Sequence, residues 1–390
     1  MMILRSLIAL NQTYNFSSIK DFTLCTRTIK CIRRKGDKTM RKLASIQKIW
    51  DITPIEGADR IELAHVEGWQ SVVNKGTFKP MDNCVYFEID SFLPIRPEFE
   101  FLRHSSYKKN DVMGEGFKLR TIKIRGEISQ GLCLPISAFA ELKDKNLEVG
   151  TDVTELLGVK KWEIEERATK NGTIIGTLPS FVPHSDETRI QTVDTEEFLK
   201  EFHGKEYYIS TKMDGSSHAI AIDDENVHHL TTHNTELKID GKSSFNQYVA
   251  KNKLFERLQE YKDNKNINTI AVVGEFCGAG IQKNRLKLTQ PQWYIFTIEI
   301  DGKRIGLAEM KKIADAIGNP TVPIEEVGYN FDEKYPTEEA IFDRAYGNYP
   351  NGGLKEGIVV RPTTPVYSQT LHDYLSFKAV NNAYLLKHED

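Results

Sequence analysis

Between residues 40 and 140 the apolar residues come in short bursts, and that brevity restricts what the segment can become. Runs of β-branched and aromatic residues at Leu43–Ile49, Ile61–Val66, Gln70–Val73, Cys84–Ile89, Lys118–Ile124 and Gly131–Pro135 are punctuated by Gly57, Gly68, Gly76 and the turn Pro80-Met81-Asp82. The pattern predicts about five or six short strands in a hundred residues, and hence a small closed β-barrel of the OB type. Within it, Lys118, Arg120, Lys123 and Arg125 alternate so that a flat strand would split them between two faces, which predicts a bulge or bend. They read equally as a phosphate-tracking edge or as a solvated strand face.

The chain has 390 residues, enough for two cores. Residues 1–39 scatter basic residues without a sustained period, and the strand pattern starts only after Met40. The segment reads as an extension before a mis-assigned start at Met40, in a bacterial or phage-borne gene. An organelle transit peptide is the competing reading, which Asp21 and Asp37 weaken. The net charge is −3, so a polynucleotide would have to meet local positive charge, at Lys118–Arg125 or Lys283–Lys287. No apolar run approaches the length that crosses a bilayer. Five cysteines, an odd number without a C-x-x-C pair, fit a reduced, cytoplasmic setting.

Residues 40–150 are expected to form the barrel and 151–185 a linker with little regular structure; 186–390 form a second, α+β domain. There the pattern predicts a helix over Thr195–Phe202 with Asp194 as N-cap and Glu197 three residues on. Strands are expected at Tyr207–Lys212, His218–Ile222, Thr269–Phe276, Trp293–Ile300 and Gly357–Arg361, and helices at Ser244–Tyr261, Leu307–Ile317 and Thr337–Tyr346.

The chemistry centres on Lys212-Met213-Asp214-Gly215, where a β-type run ends at a lysine and a tight turn follows. A lysine at the end of a buried strand is held in place, as a nucleophile requires. Alone, this four-residue pattern arises by chance in roughly one chain in ten of this length. Four further strings follow in order: Val273-Gly274-Glu275-Phe276, Trp293-Tyr294-Ile295-Phe296, Lys355-Glu356-Gly357-Ile358 and Ser376-Phe377-Lys378.

Together the five strings resemble the motifs of the covalent nucleotidyltransferases, the superfamily of ligases and mRNA capping enzymes. With Pro54-Ile55-Glu56-Gly57, Arg125-Gly126-Glu127 and Ser185-Asp186-Glu187-Thr188-Arg189-Ile190-Gln191 the chain further resembles the Deinococcus-type RNA ligases. The resemblance implies an OB domain followed by an ATP-grasp-like, ligase-type nucleotidyltransferase domain of antiparallel sheets and flanking helices. It also implies an ATP-dependent RNA ligase that joins 3′-OH and 5′-phosphate ends, nicks with a ribonucleotide 3′-OH in particular, through lysyl-AMP. A DNA ligase and a catalytically inactive RNA-binding protein are the rivals; the retained lysine and glutamates argue against the second.

By this resemblance Lys212 is the nucleophile, Glu275 contacts the ribose and Glu356 the metal, with Glu275 a second metal candidate and Mg²⁺ or Mn²⁺ both suited. Phe296 stacks on adenine, while Asp214, Gly215, Arg189, Gln191 and Lys378 complete the nucleotide contacts. RNA contacts are expected from Lys118, Arg120, Lys123, Arg125, Lys283, Asn284 and His233, the last standing where such ligases often carry arginine. A free lysine has a pKa of about 10.4. A second cation about 4 Å away costs the ammonium on the order of 4 kcal/mol, and Lys378 is the expected second cation.

Overall fold

A computed structural model describes residues 41–388 apart from 112, 144, 146 and 163–173, so the expectations for residues 1–39 lie outside the described part. The N-terminal module is a curled five-stranded antiparallel sheet. Its strands run in the order Leu132–Pro135, Asn83–Phe87, Ala44–Pro54, Ile61–Val66, Trp69–Asn74. The long first strand pairs with Asn83–Phe87 through residues 44–48 and with Ile61–Val66 beyond a register shift between Ile49 and Asp51. That bulge bends the sheet around its core. The two edge strands meet through scattered bonds such as Gln130 N–H to the Gln70 carbonyl at 2.8 Å, so closure is looser than the full barrel expected.

Alternation explains the core. Ala44, Ile46, Val85, Phe87, Phe99, Phe117 and Phe139 point inward together, and each buried phenylalanine contributes about 1.5–3 kcal/mol. Val153, Leu157 and Val159 join the same core, which therefore continues into the range expected as linker. Ile174–Thr177 is likewise ordered, as an edge strand of the second module. The expected strand Lys118–Ile124 breaks after Lys118. Leu119 turns into the core, and Ile122–Ile124 pairs separately with Glu127–Ser129 across a turn at Arg125 and Gly126, both with positive φ.

The second module has two antiparallel sheets. One has seven strands, with Ser216–Ile222, Ile270–Cys277 and Gln292–Ile300 at its centre; the other runs Ile324–Tyr329, Glu206–Lys212, Gly357–Pro362, Phe377–Val380. Ile220, Val272, Ile295 and Ile298 turn one face of the larger sheet toward Phe245, Leu258 and Ile313 on the flanking helices. The helix expected over Ser244–Tyr261 is two, Ser244–Lys251 and Leu254–Lys265, because Lys253 adopts a left-handed conformation between them. Among the described residues no helix is long and apolar enough to cross a membrane.

Val380, Tyr384 and Leu385, on the last strand and on the helix Asn382–His388, pack into the N-terminal module beside Ile49, Trp69 and Cys133. Asp90 pairs with Arg189 at 3.0 Å across the same seam. In the helix Thr195–Lys200, Asp194 caps as expected, its Oδ1 accepting from the Glu197 N–H at 3.2 Å. Asp194→Ala should therefore destabilise the protein by about 1 kcal/mol in urea unfolding, without altering the urea dependence.

Candidate functional site

Lys212 ends an inner strand, held on one side by Ile324–Tyr329 and on the other by Gly357–Pro362, where it faces Gly357. A Cβ at Gly357 would lie 2.1 Å from the Ala379 carbonyl, so only glycine lets the strand of Lys378 approach so closely. Gly215 is constrained in the same way: its Cβ would stand 2.5 Å from the Phe276 carbonyl, where the turn after Lys212 meets the larger sheet.

The Lys212 Nζ donates to Glu356 Oε1 at 2.7 Å. Burial favours the neutral amine, but Glu356 and Glu275 outweigh it and the lysine pKa is raised. This reverses the expected depression by Lys378. Lys378 lies opposite Val359, which lies opposite Ser210, so it stands two strands away from the strand of Lys212 and out of step with the lysine. Two strand spacings amount to about 10 Å. The cation that opposes the Lys212 charge is Arg189, whereas Lys378 acts on Asp186.

Glu275 shares strand parity with Ala271 and Val273 and turns away from the helical core. Burial, aided by Glu356 and Asp214, pushes its carboxyl up to about 8. Asp214 pairs with Arg285 at 2.6 Å, and Arg285 also reaches the Tyr384 hydroxyl at 3.1 Å. No group of three or more potential metal-ligating side chains occurs among the described residues. Two carboxylates suffice for Mg²⁺ or Mn²⁺, which keep waters and share substrate phosphates. A buried carboxyl beside two further acidic groups ionises more readily once a cation is present, so Glu275 and Glu356 fit one.

Between the sheets lies an open pocket of about 770 Å³, counting the solvent at its mouth, lined by Lys212, Glu275, Phe296, Lys378, Arg361 and His233 among others. Phe296 faces it because Trp293 and Ile295 take the opposite face of their strand. Arg361 lies 6.0 Å from the Phe296 ring centroid and donates to the Phe296 carbonyl. Glu187 accepts from Arg361 and Ser376; although burial alone would raise its pKa, Arg361 and Arg304 lower it to about 2. Asp186 is likewise held well below the usual carboxylate range against its burial, by His233, Lys378 and Lys161. His233, expected at RNA, stands in this wall, with Nδ1 2.8 Å from the Ser185 hydroxyl.

Other expected residues lie elsewhere. Arg189 and Gln191 sit at the seam between modules, outside the pocket lining: Arg189 against Asp90 and Trp69, Gln191 accepting at its carbonyl from the Gly68 N–H. Lys118 is buried, its ammonium 5.5 Å from the Trp162 ring centroid, so it does not serve as the expected phosphate-facing cation. Arg120, Lys123 and Arg125 are exposed on and beside the short hairpin, and Lys283 is exposed after the strand of Glu275. Asn284 builds a turn, its side chain bonding the Leu288 N–H and carbonyl. The sequence reading missed Arg285, Tyr349 and the Glu187–Arg361 pair. Glu187 fell inside a recognised string and Arg361 at the end of an expected strand, whereas nothing local marks Tyr349.

The raised Glu275 pKa has a sign that can be measured. Between about pH 4.5 and 8 the folded protein holds a proton that the unfolded chain releases, so stability falls as pH rises across that window. Thermal melts of nucleotide-free protein should show this decline in the wild type and a flatter profile in Glu275→Gln.

Comparison with known proteins agrees with this arrangement. A family model described as an OB-fold domain matches residues 43–136, and one described as RNA ligase matches residues 205–380. No curated protein matches the chain. Among solved structures, Naegleria gruberi RNA ligase with PPi is 34% identical, with 90% of this chain and 99% of that chain aligned and a TM-score of 0.76. A mutant of that ligase with ATP and Mn is 32% identical, covers 89% and 99% of the two chains, and gives a TM-score of 0.76. An apo mutant is 33% identical over 90% and 98%, with a TM-score of 0.77. At 34% identity over 90% of its length, with models for an OB-fold domain and for RNA ligase matched in order, this chain is a member of the RNA ligase family.

Proposed function

We propose that the protein is an ATP-dependent RNA ligase of the Deinococcus-type branch that seals nicks bearing a ribonucleotide 3′-OH and a 5′-phosphate. The observation that carries the reading is the Lys212–Glu356 pair at 2.7 Å beside a pocket walled by Phe296, Glu275 and Lys378. The related ligase has been captured with ATP and Mn, with AMP and Mn, and with PPi, the nucleotide states such a reaction passes through.

In the first step the Lys212 ammonium gives up a proton, for which Glu356 Oε1 is a hydrogen-bonded acceptor. The amine attacks the α-phosphorus of ATP; an N–P bond forms and the bond to pyrophosphate breaks. The adenylyl group then passes to an RNA 5′-phosphate, restoring Lys212, and a 3′-hydroxyl attacks that phosphorus and expels AMP. Phe296 supplies the face on which adenine stacks, while Lys378 offsets phosphate charge from across the pocket. A divalent ion held by Glu356 and Glu275, magnesium or manganese, would neutralise phosphate charge and favour the free amine. Arg189, placed at the seam, acts on the site through its charge near Lys212.

We assign residues 40–150 to the OB domain and 186–390 to the transferase; of the intervening 151–185, Val153, Leu157 and Val159 complete the first core and Ile174–Thr177 edges the second module's sheet. The unpaired, buried Cys84, Cys133 and Cys277 suit a cytoplasmic setting.

Incubation with α-labelled ATP and Mg²⁺ or Mn²⁺ should give an acid-labile labelled band that Lys212→Ala abolishes. Absence of label from folded, initially unadenylylated wild type would leave a binding protein as the reading. Sealing of a duplex nick should require a ribonucleotide at the 3′-OH end; equal sealing of an all-deoxy nick would favour a DNA ligase. Replacing Arg120, Lys123 and Arg125 with alanine should weaken RNA binding uniformly across sequences. The salt slope, measured by anisotropy, should fall by about 1 for each phosphate that is no longer neutralised.

A further inference from the structure

Tyr349 is remote in sequence from Lys212, yet its phenol touches the backbone on both sides of the reaction centre. The hydroxyl donates to the Lys212 carbonyl at 2.8 Å and accepts from the Glu356 N–H at 3.2 Å. One oxygen thus joins the two residues whose side chains form the 2.7 Å ion pair. It does so past the end of their ladder: Lys212 opposite Gly357 is the last rung, and Glu356, just outside it, is otherwise held only from the far side, its carbonyl accepting from the Asn381 N–H at 2.8 Å among the described backbone bonds.

Tyr349 is itself fixed. Its ring is buried with Met213, Cys277, Leu286 and Val322. Its N–H donates to the Gly353 carbonyl at 2.7 Å, and its carbonyl accepts from the Gly352 N–H at 2.9 Å.

We propose that Tyr349 is a positioning residue for lysine adenylylation, its hydroxyl setting the separation of the Lys212 and Glu356 backbones and so the approach of the amine to the α-phosphorus. The proposal rests on the ligase reading. Its content is that one hydroxyl, rather than the surrounding packing, holds this geometry.

Tyr349→Phe removes that oxygen and keeps the ring. Leu286→Ala, which opens the packing in the same cluster, serves as the control for stability. Single-turnover labelling of Lys212 with α-labelled ATP should show the rate at saturating ATP falling about 10- to 100-fold in Tyr349→Phe, the loss expected of sub-ångström misplacement. The ATP concentration for half-maximal rate should stay within about twofold, since ground-state binding is untouched. Leu286→Ala should lose at least as much thermal stability and keep its rate. Hydrogen exchange at the Glu356 amide should be slow in the wild type and faster in Tyr349→Phe.

A full labelling rate in Tyr349→Phe, or equal rate losses in the two variants, overturns the proposal. So does fast exchange of the wild-type Glu356 amide, a measurement that stands even if the variant fails to fold. A wild type that takes no label would instead sink the ligase reading, leaving amide exchange to judge the clamp.

Discussion

The Lys212 ammonium faces Glu356 at 2.7 Å, and burial strips much of the surrounding water from both side chains. Desolvation and the carboxylates pull the lysine in opposite directions, and the carboxylates win. The lysine is therefore held charged and in place. Burial, with Glu356 and Asp214 adding to it, pushes the Glu275 carboxyl up to about 8. An arriving cation would reverse both biases together, because it competes with the lysine for Glu356 and with the proton for Glu275. The fold has to hold Glu275, Glu356 and Asp214 close to Lys212, with Arg189 and Arg285 near at hand, and much of its architecture follows from that demand.

The smaller sheet delivers Lys212, Glu356 and Lys378 on adjoining strands, and the larger one delivers Glu275 and Phe296. Behind them, the Glu187–Arg361 pair is buried, and a buried pair is strongly destabilising to break although it adds little when intact. Its use here is orientation: Arg361 also holds the Phe296 carbonyl, so the strand that carries the Phe296 ring is fixed where it lines the pocket. The N-terminal module adds support from outside. Its apolar residues seat Tyr384, whose hydroxyl meets Arg285, which pairs with Asp214 two residues beyond Lys212.

The elements legible in the sequence were those set by local periodicity. Leu307–Ile317 forms as expected, the Asp194 cap forms, and the strands ending at Lys212 and carrying Glu275 lie within a residue or two of their expected bounds. What escaped depends on long-range placement. Period alone could not show that Lys253 would break a helix, or that Leu119 would be drawn into the core and end a strand. Order along the chain suggested that Lys378 would press on Lys212, but register puts it opposite Val359. Lys118 looked like its exposed neighbours and is buried on the face opposite Phe117 and Leu119, against Trp162, a contact that no period in the sequence marks. Tyr349 carried no local mark, since its role exists only once Lys212 and Glu356 have been brought together.

That Lys212 meets a partner 144 positions later has a consequence for how the protein comes into being. The strand that carries the lysine finds its neighbours only at Ile324–Tyr329 and Gly357–Pro362, so its inner position in the sheet is closed by chain made much later. Pairings of such separation form late and slowly, because the intervening loop must first lose its freedom. Until then the sheet edge at Lys212 is unpaired, and an unpaired edge is where misassociation begins. During synthesis the nucleophile thus emerges long before the scaffold that disciplines it. The early-made N-terminal module completes one of its two apolar clusters by Val159, while the other waits for Val380, Tyr384 and Leu385 at the end of the chain.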